Sequence, residues 1–108
     1  MNLRQWEIWK ARPAGFESDH WFVLISNQER LDFDQAHQVN ALACFTLRGV
    51  PRSIDIRLNS ADGFEAPTVC GCDFIWILDK RALRSRLGSV CWERQQAIKS
   101  RIREIVRL

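Results

Sequence analysis

The sequence predicts a mostly-β, α+β fold: a small, strongly curved antiparallel barrel of the SH3-like kind, followed by one C-terminal amphipathic helix. Three observations carry this. Short strand-like runs follow one another at close spacing, Ser53 to Leu58 alternates in strict period two, and Trp92 to Val106 carries a helical apolar stripe. Propensity alone leaves other mostly-β folds open. The 108 residues are expected to form a single domain over 1–108, long enough to bury one core.

In chain order, Gln5 to Ala11 reads as a first strand with Trp6 and Ile8 on one face and Glu7 and Trp9 on the other. Arg12-Pro13-Ala14-Gly15 then interrupts it. Trp21 to Ser26 is continuously apolar up to its last residue, which predicts a central strand covered on both faces. The polar stretch Asn27 to Gln38 is expected to be a long connection with a helical turn around Asp34 to His37. Ala41 to Leu47 and Ser53 to Leu58 read as a hairpin across a Gly49–Arg52 turn, with Ile54, Ile56 and Leu58 facing one side. After a loop over Asn59 to Pro67, a fifth strand is predicted from Thr68 to about Leu78. Gly71 in its middle marks a bulge, a bend, or a close approach of another chain or ligand. Asp79 is a cap for a short turn to Leu83, Leu87 to Cys91 is a last strand, and the final helix places Ala97, Ile98, Ile102, Ile105 and Val106 on one stripe.

Composition narrows the function classes. With 46% apolar and 27% charged residues the chain is of ordinary globular type. It has neither a run long enough to span a membrane nor an apolar leader, so a cytoplasmic protein with no membrane partner is expected. The net charge of +3 hides an asymmetry: residues 80–108 carry nine Lys/Arg against two Glu, while residues 1–79 carry seven against eleven acids. A basic third is compatible with phosphate contact or with a solvated helix face. Cys44, Cys70, Cys72 and Cys91 are expected to be reduced thiols. Cys70 and Cys72 would share a strand face, but a CxC pair lacks the CxxC knuckle spacing, and no metal or cofactor is expected. Five tryptophans, at positions 6, 9, 21, 76 and 92, are many for this length; most belong to a core or an interface, with up to two free to stack bases.

The order of these pieces resembles the MazF/PemK family of toxin endoribonucleases, including its Kid branch. Glu7-Ile8-Trp9 looks like the family's opening G-[DE]-[IV]-W strand, Gly15-Phe16-Glu17 like its G-x-E loop, and His20 to Asn27 like its R-P-V-L-V-[IV]-x-N strand. Phe45-Thr46 is similar to the end of its P-[IL]-T strand, Val69 to Asp73 to V-[VI]-x-x-[DE], Ile77 to Lys80 to T-[IL]-D-K, and Arg86-Leu87-Gly88 to R-[IL]-G. The resemblance implies a barrel of the CcdB/MazF type, a homodimer, single-stranded RNA as substrate and a cognate antitoxin protein as partner. It departs where activity lives. The catalytic arginine of R-P aligns with His20 and its proline with Trp21, the opening glycine with Trp6, and the arginine of the Kid branch's Arg-x-Asp pair with Gly71, while Asp73 remains.

Metal-independent RNA cleavage needs a base for the 2′-hydroxyl, an acid for the leaving 5′-oxygen and a donor or cation on the phosphorane. On this resemblance His20 is the candidate base or acid, because imidazole changes protonation near neutral pH whereas the arginine it replaces is a fixed charge. Asp73 would orient or protonate its partner, Thr46 would hydrogen-bond a phosphate oxygen, and Arg48 or Arg52 would stabilise charge. Glu17 is a second candidate base. Arg81, Arg84 and Arg86 flank the turn after Asp79 as a phosphate path, and the bulk of Trp21 and Trp6 would narrow any groove near His20. The bland alternatives are an edge histidine bonded to Asp19, a Thr46 selected for β propensity, and solvated arginines. Asp73, in the apolar run VCGCDFIWIL, needs a partner in either case.

Three functions follow from the resemblance. The first is a toxin endoribonuclease of a toxin–antitoxin pair, an mRNA interferase. The second is a barrel of the same family that binds protein or RNA without cleavage. The third is a gyrase-poisoning toxin of the CcdB type, whose Trp-Gly-Ile tail has no counterpart in the Ile-Val-Arg-Leu ending found here.

Overall fold

The computed structural model describes residues 2–107. Its elements are β1 (Glu7–Ala11), β2 (His20–Leu24), α1 (Gln28–Asp32), β3 (Gln38–Thr46), β4 (Asp55–Leu58), β5 (Thr68–Gly71), β6 (Trp76–Asp79), β7 (Leu83–Ser89) and α2 (Trp92–Ile105), with 3-10 turns at Ser60–Asp62 and Lys80–Ala82. The strands form one antiparallel sheet in the order β4-β5-β3-β2-β1-β7, and β6 pairs the front half of β3. The sheet is not closed. Among the described residues β4 and β7 are each paired on one side, so the expected barrel is an open, seven-stranded sheet.

Both faces of this sheet are covered, which is why its central strand reads as continuously apolar. Phe22 and Leu24 of β2, Ala41 and Ala43 of β3, and Trp9 and Ala11 of β1 enter one core with Leu31, Leu78 and Leu83. The alternate residues Val23, Leu42, Cys44 and Ile8 enter a second core with Ile56, Leu58, Cys70 and Val90, closed by Ile98 of α2. Ala97 and Ile102 flank Ile98 on the helix, whereas Ile105 and Val106 at the end of the predicted stripe are exposed.

Three sequence expectations need correction. The predicted β3–β4 hairpin does not form: β5 lies between them, pairing Cys44 to Thr46 on one side and Asp55 to Leu58 on the other. The long fifth strand is two strands, β5 ending at Gly71 and β6 beginning at Trp76. The helix of the acidic connection sits earlier than Asp34, starting where the Asn27 side chain accepts the Arg30 N–H at 2.8 Å. Lys80 holds its other end, its ammonium donating to the carbonyls of Arg30, Leu31 and Phe33 at 3.1–3.2 Å.

Trp6, at the resemblance's glycine position, has φ 75°, a conformation that costs an L-residue roughly 1–3 kcal/mol. Its backbone is pinned on both sides: the N–H donates to Leu24 O at 2.8 Å and the carbonyl accepts from Val90 N at 2.9 Å. The indole packs on the second core beneath Lys99.

Asp62 is the most deeply buried charge, at 1% exposure. It accepts from the backbone of Asn59 at 3.0 Å, from Cys91 at the start of α2 at 2.9 Å and from Arg94 Nε at 3.0 Å, and so ties the 59–64 loop to the helix. Gly88 makes this possible, because a Cβ there would lie 2.9 Å from the Asp62 carbonyl oxygen. Asp62→Ala strands Arg94 beside two unpaired N–H groups and is expected to cost about 3–5 kcal/mol in denaturant unfolding. Gly88→Ala should lower stability by roughly 1–3 kcal/mol in the same measurement, because the neighbouring atom is backbone and cannot swing away.

Candidate functional site

An open groove of about 620 Å³ lies where β2 begins and β3 ends. Asp19 lines it just before β2, His20 and Trp21 from β2, Cys44, Phe45 and Thr46 from β3, and Arg48 from the turn beyond. Phe64, Ala66 and Thr68 close it from the 59–67 loop and β5. Four of the sequence candidates therefore meet: His20, Trp21, Thr46 and Arg48.

Strand alternation divides them. His20 shares the face of Phe22, while Trp21, Cys44 and Thr46 share the opposite one, and the groove wraps the sheet end between the two faces. The His20 ring stands edge-on to Phe16, 4.8 Å between centroids, and 6.2 Å from Phe45. Asp19 does not hold it. That carboxylate is taken by Arg12 Nε at 3.2 Å and approached by Arg84 Nε at 3.8 Å. Phe16 is the His20 neighbour that no motif marks; neither it nor the adjacent, exposed Glu17 is in the groove lining.

The remaining candidates lie elsewhere. Asp73 finds its partner in Arg52 at 3.4 Å, and Arg52 is held more closely by Asp55 at 2.8 Å. The hydrogen bond that Arg52 donates to Asp55 leads the causes that raise the Arg52 pKa. One guanidinium between two carboxylates leaves this cluster without spare positive charge. A Cβ on Gly71 would meet the same guanidinium at 3.4 Å, an ordinary contact, and Gly71 marks the end of β5. Arg81 is committed to Asp79 at 3.2 Å, beside α1. Its side-chain hydrogen bond holds the Asp79 carboxyl below its ordinary value. Arg86 reaches the buried Glu7 at 3.5 Å, and Glu7 also accepts from the Trp9 indole at 3.2 Å.

Cys44, Cys70 and Cys72 share the second core, with Cys44 and Cys70 directly opposite across β3 and β5. Cys91 is apart from them, at the N-terminal cap of α2. All four are free thiols, and no group of three or more His, Cys, Asp or Glu side chains fit to hold a metal occurs among the described residues. A hydrogen bond with Cys44 and then burial push the Cys70 thiol up, and a hydrogen bond with Cys70 and then burial push Cys72 up.

No protein-family model matches the sequence, and no curated protein matches it in sequence. Solved structures do. An endoribonuclease in complex with its cognate antitoxin from a mycobacterial species superposes with a TM-score of 0.79, covering 96% of this chain and 92% of that one at 15% identity. The Mycobacterium tuberculosis toxin MazF-mt6 gives 0.75 over 92% and 94% at 16% identity. A MazE–MazF structure from Deinococcus radiodurans gives 0.79 over 100% and 98% at 12% identity. The chain has the MazF fold. No described helix is long and apolar enough to cross a membrane.

The thiol environments make a direct prediction. Iodoacetamide at mildly alkaline pH should label the native protein at Cys91 alone and all four cysteines in denaturant, because buried, protonated thiols are poor nucleophiles. Rapid native labelling of Cys44 or Cys72, read by peptide mass spectrometry, would contradict the packing of the second core.

Proposed function

We infer that this protein is the toxin of a toxin–antitoxin pair: a metal-independent endoribonuclease that cleaves single-stranded RNA, works as a homodimer in the cytoplasm, and is held inactive by an antitoxin segment laid in its groove. The groove carries the reading. It draws His20 from the start of β2, and Thr46 and Arg48 from the end of β3 and the turn beyond, to one opening. The fold around it is the one found in the mycobacterial endoribonuclease and the MazF toxins, two of which were solved with an antitoxin.

The chemistry these side chains support is transesterification. The 2′-oxygen attacks the adjacent phosphorus, the bond to the 5′-oxygen breaks, and the products are a 2′,3′-cyclic phosphate and a free 5′-hydroxyl. His20 serves as the base that takes the 2′-hydroxyl proton or, as imidazolium, as the acid that protonates the leaving oxygen. Thr46 donates to a non-bridging phosphate oxygen, and the Arg48 guanidinium offsets the charge that grows there. Asp73 and Glu17 stand outside the groove and are given no chemical step; Asp73 acts by holding Arg52.

The second reading, an RNA- or protein-binding member of the fold without cleavage, draws its support from the aromatic setting of His20 between Phe16 and Phe45. One experiment separates the two. Purified protein is incubated with long single-stranded RNA in EDTA, beside His20→Ala and Asp73→Ala. Cleavage by the wild type should fall about 100-fold or more in His20→Ala, the usual range for losing a general acid or base, and by less than about tenfold in Asp73→Ala. Intact RNA after incubation with folded wild type, across several sequences, overturns the nuclease reading in favour of the second.

A further inference from the structure

We propose that Trp21, on the wall of the groove, and its cross-strand neighbour Lys10 form a nucleotide subsite, in which the indole stacks an unpaired base of single-stranded RNA and the Lys10 ammonium holds the adjoining phosphate. The subsite rests on the endoribonuclease reading and adds to it a residue that no sequence motif marks.

The geometry comes from the sheet. Lys10 of β1 and Trp21 of β2 are direct cross-strand partners, and Lys10 Nζ lies 5.0 Å from the centre of the Trp21 ring. Trp21 is half-buried and lines the groove, and its partner on the other side, Cys44, lines it too. A nucleotide joins a flat π-surface to an anion within one unit; Lys10 and Trp21 present the complementary pair, an indole and an ammonium held on adjacent strands. Both Trp21 and Trp6 pack against the second core, but in the second pair of this kind, Lys99 over Trp6 at 5.8 Å, neither residue lines the groove, whereas Trp21 does.

Charge selects Lys10 over its neighbours. Around the groove, Arg12 and Arg84 are committed to Asp19, Arg86 to Glu7, and Arg52 to Asp55 and Asp73. A phosphate at any of them must compete with a carboxylate already in place. Lys10 and Arg48 are in no ion pair among the described residues. Lys10 therefore offers a charge that no carboxylate holds, resting over the Trp21 ring that it would uncover for a base, with Arg48 as a second charge in the groove.

The test is equilibrium binding of the full chain to a fluorescein-labelled single-stranded RNA of about 12 nucleotides with 2′-O-methyl sugars, which block cleavage, followed by anisotropy from about 50 to about 300 mM salt. Lys10→Gln should weaken binding several-fold at low salt and flatten the log–log salt slope by about 0.7, the loss of one phosphate contact on a single strand. Lys10→Arg should restore the slope. Trp21→Leu should weaken binding about tenfold with the slope unchanged, since stacking releases no counterion. Wild-type affinity and slope in Lys10→Gln, with Arg48→Gln weakened, overturns the subsite and leaves the nuclease reading standing. Failure of folded wild type to bind overturns both. Lys10 is partly exposed, so its two variants decide the matter even where Trp21→Leu misfolds.

Discussion

The molecule hangs on one strand that is hydrogen-bonded along both edges and buried on both faces. β3 pairs β2 through Ala41 to Cys44, while its other edge is divided between β6 at Gln38 to Ala41 and β5 at Cys44 to Thr46. That division makes the chain leave β5 at Gly71 and rejoin β3 further back at Trp76. It also dictates the side chains of β3, since every residue from Ala41 to Cys44 meets a core and none has room for charge. The groove begins where that constraint ends. Phe45 and Thr46 run past the packed region and are exposed, so polar chemistry can start there without breaking the core.

Electrostatics follows the same topology. The basic end of the chain and its acidic beginning are not two free surfaces; the fold sets one against the other. Arg84 comes to Asp19, Arg86 to Glu7 and Arg94 to Asp62, while Lys80 donates to the exposed carbonyls of α1. Most of the positive charge that suggested a phosphate path is consumed in holding the molecule together. What remains for an anionic ligand near the groove is small and local, which raises the weight carried by Arg48 and Lys10.

His20 illustrates how a substitution changes a site through its neighbours. An arginine at the mouth of β2 would project a fixed charge, and the imidazole instead lies among aromatic rings, edge-on to Phe16 and near Phe45. At Gly71, where the resemblance sets an arginine, a Cβ would meet the Arg52 guanidinium, which two carboxylates already hold.

The sequence by itself determined the class of fold, the central strand covered on both faces, the cap at Asp79, the C-terminal helix and the place of His20 and Thr46 at strand ends. Each of these rests on local period or on the conformational limits of one residue, and both are written along the chain. Only the tertiary structure decided that β5 lies between β3 and β4, that α1 is capped by a lysine fifty residues away, that Phe16 rather than Glu17 meets His20, and that Lys10 faces Trp21. The alternation of Ile54, Ile56 and Leu58 looks the same whichever strand lies beside it, and an arginine reads the same with or without a carboxylate across the sheet. Pairing and charge commitment depend on distances between residues far apart in sequence, and those distances exist only once the two cores have closed.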